Sequence, residues 1–199
     1  MGTNEALKQK LYYNQYLKDL SRSMVELEVT NQHGQLVSQE EALLSCCGIC
    51  KKIKLSHNTM YFIGNGASAC MASHMAADFN KTCGCRATSF NDIALMTAVS
   101  NDVSYEECFS IPLSRFAVKK DALITISSSG NSPNIINAIH RAKDIGLSII
   151  TFSGMNPNNQ SRKLGHFNFW LPANTYGLVE AGHQILLHCW LDTYLEINM

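Results

Sequence analysis

Four serines stand within six positions in the stretch Ser127-Ser128-Ser129-Gly130-Asn131-Ser132-Pro133-Asn134. An apolar run, Ala122-Leu123-Ile124-Thr125-Ile126, leads in, and a helical pattern, Ile135 to Lys143, leads out. A strand that ends in small hydroxyl residues and turns into a helix is a socket for an anion. The N–H groups of the first helical turn point outward, the helix dipole is positive there, and hydroxyls add donors. Pro133 suits the first turn, where a missing N–H costs nothing. Serines that only cap the helix are the simpler account, but one hydroxyl is enough for a cap. A phosphate uses the whole set.

A second small-residue loop, Gly64-Asn65-Gly66-Ala67-Ser68, follows another short apolar run, Met60-Tyr61-Phe62-Ile63. Gly64-x-Gly66-x-x-Ala69 is compatible with a dinucleotide fingerprint, with Asp92 as the ribose acid. That assignment seats the phosphate on the first loop and leaves the serines unexplained. One compact phosphoryl group on the serine loop, with a short polar chain lying toward Gly64–Ser68, employs both loops. The ligand class is then a small phosphorylated metabolite, a sugar first.

Acid–base groups lie on two helical stretches. His74 and Asp78 are four apart and share one helix face, as a surface hydrogen-bonded pair also would. Glu180 and His188 are eight apart, roughly 12 Å along an axis and roughly 80° around it. They meet at one point only by reaching toward each other. His188 also sits in an apolar run, Ile185 to Trp190, where a satisfied core histidine is the plainer reading. His33, His57, His140, His166 and His183 carry no comparable context and default to surface or capping roles. Cys47-x-x-Cys50 and Cys83-x-Cys85 have the form of zinc half-sites, but Cys46, Cys47 and Cys50 also fall on an apolar stripe with Leu43 and Leu44.

The 199 residues suffice for one well-buried core, and 16 basic against 16 acidic side chains leave no net charge. Nothing in that balance attracts nucleic acid or an anionic membrane, so an anion must be met by local donors. No apolar run reaches a membrane span. Met1–Lys8 has no apolar secretory core, and eight scattered cysteines suit reduced thiols in a cytoplasm.

These groups need a scaffold that gathers loops from distant parts of the chain. Residues 4–28 carry Leu7, Leu11, Tyr12, Tyr16, Leu17, Leu20, Met24 and Leu27 at helical spacing. A polar break, Thr30–Gln35, precedes a second helix that starts near Ser38, with Glu41 completing a capping box, and runs to about Lys52. These helices pack outside the main domain or against a second subunit. From Met60 the pattern alternates strand and helix, with strands at 60–63, 86–90, 122–126, 147–152 and 166–171 and a long last helix from Leu178 to about Ile197. The expected fold is α/β, an open doubly wound five-stranded parallel sheet in flavodoxin-like order with helices on both faces. Residues 1–55 form an N-terminal helical segment and 56–199 the main domain. Right-handed crossovers put both loops at the C-terminal ends of the strands.

Taken together, Gly64-Asn65-Gly66-Ala67-Ser68, His74 with an acid four residues on, Thr97-Ala98-Val99-Ser100-Asn101-Asp102, Ile126–Ser132 and Glu180-x-x-His183-x-x-x-x-His188 resemble a sugar isomerase (SIS) domain, and more closely the phosphoheptose isomerase family. The resemblance covers about residues 55–199 well and the N-terminal helices loosely. It implies a homotetramer with sites between subunits, acting on sedoheptulose 7-phosphate to give D-glycero-D-manno-heptose 7-phosphate for lipopolysaccharide or other surface polysaccharide. By position, Ser127, Ser128, Ser129 and Ser132 hold the phosphate, and Asn65, Gly66, Ser68 and Asp102 meet the sugar. Asp78 and His188 exchange a proton between C1 and C2, and His74, Asp78, Glu180 and His188 form a zinc site. Glu180 is counted with the substrate-binding residues as well. Departures from the family are Asp78 for the usual glutamate, Glu180 for the usual glutamine, and Lys81-Thr82 where an arginine is common. Alternatives are an isomerase for another ketose phosphate, a non-catalytic SIS scaffold that binds the replication initiator, and a phosphosugar-sensing domain.

Overall fold

Met60 and Phe62 face one buried layer while Tyr61 and Ile63 face another, and this period-two alternation organises the whole computed structural model, which describes residues 2–198. In chain order the strands are β1 (Glu28–Asn31), β2 (Leu36–Val37), β3 (Thr59–Gly64), β4 (Arg86–Ser89), β5 (Ala122–Ser127), β6 (Ser148–Gly154) and β7 (Phe167–Leu171). The helices are α1 (Gly2–Val25), α2 (Gln39–Ser56), α3 (Ala67–Lys81), α4 (Ile93–Asp102), α5 (Ser110–Phe116), α6 (Pro133–Ile145) and α7 (Tyr176–Asn198).

The sheet runs β2-β1-β7-β6-β5-β3-β4. Its five parallel strands, β3 to β7, have the flavodoxin-like order expected. The count of five strands is corrected to seven, because an antiparallel hairpin, β1–β2, extends the sheet at β7. Residues 28–31 therefore leave the first helix, which ends at Val25, and Thr30–Gln35 is not merely a break between helices. The hairpin is short, and Thr30 pairs with Asn168, so little local pattern announces it. Helix α2 starts where read, with Ser38 Oγ accepting from Glu41 N at 3.1 Å, but it continues to Ser56.

Helices α2, α3 and α7 cover one face, with Cys46, Cys47, Cys50, Met75, Phe79, Leu187 and Trp190 in the core there. Tyr16, Leu20 and Met24 of α1 pack on the same side, while Leu7 and Leu11 lie outside the residues whose side chains are described. Helices α4, α5 and α6 cover the other face around Tyr61, Ile63 and Leu123. The cysteines of α2 are core residues, and burial pushes the Cys47 thiol up to about 11. They gather no metal-type cluster among the described residues. Asp92, the ribose-acid candidate of the dinucleotide alternative, caps α4 by accepting from Leu95 N at 2.8 Å.

Candidate active site

The serine loop leaves the fully buried strand β5 and enters α6 with Pro133 in the first turn. Gly130 turns the chain at φ +62°, with its N–H donating to Ser127 O at 2.9 Å. Capping does not use the serines up: Ser132 stands at the N-cap and makes no side-chain capping bond. Ser128 Oγ is buried and meets no partner among the described residues. An orphaned hydroxyl at that depth is costly unless a ligand takes it up.

The other wall begins at Gly64, where a Cβ would fall 2.6 Å from Ser68 O, so only glycine lets β3 turn this tightly into α3. Gly66 is the N-cap of α3 with φ +56°, and Ser68 is buried in the first turn. Asn65 and Asn134 exchange amide hydrogen bonds of 3.0 and 2.9 Å across the two loops. The Tyr105 hydroxyl donates to Asn65 Oδ1 at 2.9 Å, and burial raises that phenol above its ordinary pKa, which keeps it a donor. Asn65, Ser68, Ser127, Ser128, Ser129 and Ser132, with Tyr176 and Glu180 from α7, line one cleft of about 180 Å³.

Helices α3 and α7 run side by side beyond this cleft. Gln184 reaches Met75 between them, and further on the imidazoles of His74 and His188 meet edge to face with centroids 5.3 Å apart. His74 Nε2 lies 3.0 Å from Asp78 Oδ2. His74, Asp78 and His188 each offer a ligand atom within 4.8 Å of the others. Two imidazoles and a carboxylate on adjacent helices are a donor set of the kind that holds a catalytic divalent metal. Asp78 and His188 thus converge, and His188 is half-buried and faces α3 instead of being a sealed core residue.

Two candidates lie elsewhere. Glu180 is not in the His74–Asp78–His188 group; it sits two helical turns back, in the serine cleft. Asp102 is exposed at the end of α4, hydrogen-bonded to Asn101 at 2.9 Å, and does not line the cleft. Spacing alone also missed His183. It is fully buried, its Nε2 lies 3.1 Å from Ser153 O, and burial lowers its pKa to about 4, so the ring is neutral and donates to that carbonyl. A wider cleft of about 630 Å³ opens along β4. Its acids are already committed, Asp121 to Asn58, Thr59 N and Val118 N and Asp92 to its helix cap.

The SIS domain family matches residues 16–154. The phosphoheptose isomerase of Helicobacter pylori (strain ATCC 700392 / 26695) is 33% identical over 135 residues, 65% of this chain and 70% of that protein. The phosphoheptose isomerase of Fusobacterium nucleatum is 30% identical over 179 residues, 87% of each chain. Among solved structures, phosphoheptose isomerase from Neisseria gonorrhoeae superposes with a TM-score of 0.78 at 19% identity, covering 96% of this chain and 99% of that one. That last likeness is one of fold. The chain belongs to the SIS domain family and, within it, to the phosphoheptose isomerases.

Proposed function

We propose that this sugar-phosphate isomerase interconverts sedoheptulose 7-phosphate and D-glycero-D-manno-heptose 7-phosphate, as its relatives' names suggest. The observation that carries the reading is the pair of unspent serine hydroxyls, Ser128 and Ser132, at the N-terminus of α6 and in one cleft with Asn65 and Ser68. The C7 phosphate takes hydrogen bonds from Ser127, Ser128, Ser129, Ser132 and the first-turn N–H groups of α6. Asn65, Ser68 and Glu180 orient the hydroxyls of the chain, whose C1 end runs along α3 and α7. Asp102 would reach the sugar only from outside this cleft.

Asp78 and His188 take a proton from C1 and return one to C2 through an enediol, while a proton is gained at O2 and lost from O1. His74, bonded to Asp78, holds that carboxylate toward His188. The same three side chains would hold a zinc ion, and Glu180 would join them only through movement or a second copy of the chain. Zinc there would polarise the substrate carbonyl and favour the enediolate charge. Asp78 is one methylene shorter than glutamate, which sets the carboxylate back from the reacting carbons. Its bond to His74 keeps it aimed. The product would feed bacterial surface polysaccharide.

A panel of ketose phosphates, assayed with and without chelator, tests the reading: turnover is expected with sedoheptulose 7-phosphate and a loss on chelation. His188→Ala is expected to lower kcat by at least about a hundredfold with phosphate-ester affinity nearly intact. Equal loss of affinity and turnover would contradict the assigned role. Turnover of a shorter ketose phosphate alone would reassign the substrate.

A further inference from the structure

The end of β6 and the turn that follows it lie against the serine loop and touch it at four places. Gly154 N–H donates to Ser128 O at 3.1 Å, and Ser161 N–H donates to Gly130 O at 3.0 Å. Gln160 N–H donates to Asn131 Oδ1 at 2.9 Å. The fourth contact is Asn159, whose carboxamide lies so close under Gly130 that a Cβ on the glycine would fall 2.1 Å from Asn159 Oδ1.

Asn159 is fully buried, and every part of its amide is engaged. Its Nδ2 donates to Asn156 O at 2.8 Å and faces Ser153 Oγ at 3.2 Å and Gly154 O at 3.4 Å. Its Oδ1 accepts from Ser161 Oγ at 3.1 Å and Arg162 N at 3.0 Å. One side chain therefore ties the end of β6 to the turn and sets the height of the platform on which Gly130 rests. No other residue type of that size offers two donors on one side and an acceptor on the other.

We propose that Asn159 is a positioning residue for the anion-binding loop, acting on the substrate through Gly130 and Ser128 without touching it. This rests on the reading of the loop as the phosphate site. If the platform drops, the orphaned Ser128 hydroxyl and the first-turn N–H groups move off their common focus, and a hydrogen-bonded anion is sensitive to such shifts. Asn159→Ser withdraws the support from Gly130 while keeping a small polar group. Asn159→Asp keeps the shape but turns an oxygen toward the Asn156 and Gly154 carbonyls and buries a negative charge beneath the anion.

The test measures calorimetric affinity for sedoheptulose 7-phosphate, KM and kcat, and melting temperature for wild type, both variants and Gln160→Ala. The last removes only an exposed side chain and keeps the main-chain bond to Asn131. Affinity is expected to fall and KM to rise by about tenfold in Asn159→Ser and by more in Asn159→Asp, with kcat within about threefold. Gln160→Ala is expected to match wild type. Variants that melt earlier but bind as wild type does overturn the proposal and leave the isomerase reading standing. A wild type that binds the sugar phosphate and loses that affinity in both Asn159 variants, yet turns nothing over, upholds the proposal and sinks the isomerase reading. A wild type that binds no phosphate ester overturns both.

Discussion

Ser128 carries the sharpest conflict between stability and binding in this chain. Its hydroxyl is buried and meets no protein partner among the described residues, and a buried hydroxyl left unbonded costs about 1–3 kcal/mol. Ser128→Ala removes the unsatisfied group and adds no volume. The expected outcome is an unchanged or slightly raised midpoint of urea unfolding together with a loss of about tenfold or more in phosphate-ester affinity. A variant that is clearly less stable would mean the hydroxyl has a partner in solution, and unchanged affinity would remove Ser128 from the phosphate site. The composition of the stretch made this serine visible, because four hydroxyls exceed what a helix cap uses. His183 was invisible at the same scale. Its place in Glu180-x-x-His183 says nothing about which side of α7 faces β6, and only packing puts its ring on Ser153 O.

At the scale of elements, the site depends on how closely α7 approaches the sheet. Gly182 lies where α7 crosses β7 and α1, and a Cβ there would come within 2.3 Å of Leu171 Cδ2 and 3.3 Å of Met24 Sδ. Gly182→Ala gains about 1 kcal/mol of helix propensity but overpacks a filled interior, which costs about 1–3 kcal/mol. A net destabilisation of about 1 kcal/mol in urea unfolding is expected, with kcat reduced because His188 rides on the displaced helix. Stability at or above wild type would show that Leu171 gives way freely. Most elements were legible: β3 and β5 as apolar runs between loops, and α2 from its Ser38–Glu41 capping box. The hairpin β1–β2 was not, since its stabilising partner β7 is more than a hundred residues away in the chain.

The whole molecule presents an outward face of α7 that one chain leaves partly apolar. Ala181, Ile185 and Cys189 flank His188 along an open groove, and Ile185 remains 46% exposed. Tyr12 and Tyr13 of α1 are also exposed, at 71% and 65%. A homotetramer that brings such faces together would close the groove over His74, Asp78 and His188, where a water-poor site favours proton transfer. Light scattering is expected to give about four chains per particle. Ile185→Glu is expected to yield smaller particles and little activity, while its circular dichroism matches wild type. A wild type that runs as a monomer with full turnover would refute the shared site.

By itself the sequence determined the architecture of alternating strands and helices, the crowding of hydroxyls at a helix start on which the proposed phosphate site rests, and the family resemblance, because these follow from local period, local composition and short spacings. It also named His74, Asp78 and His188. That they meet was decided by the packing of α3 against α7, as was the place of Glu180 among the serines, two turns away from them. Nothing in the local sequence marks Asn159, and its contact with Gly130 exists only after the β6–β7 connection folds against the loop. Helical periodicity assigns a side chain to a face, but which face meets which neighbour depends on contacts between residues far apart in the chain.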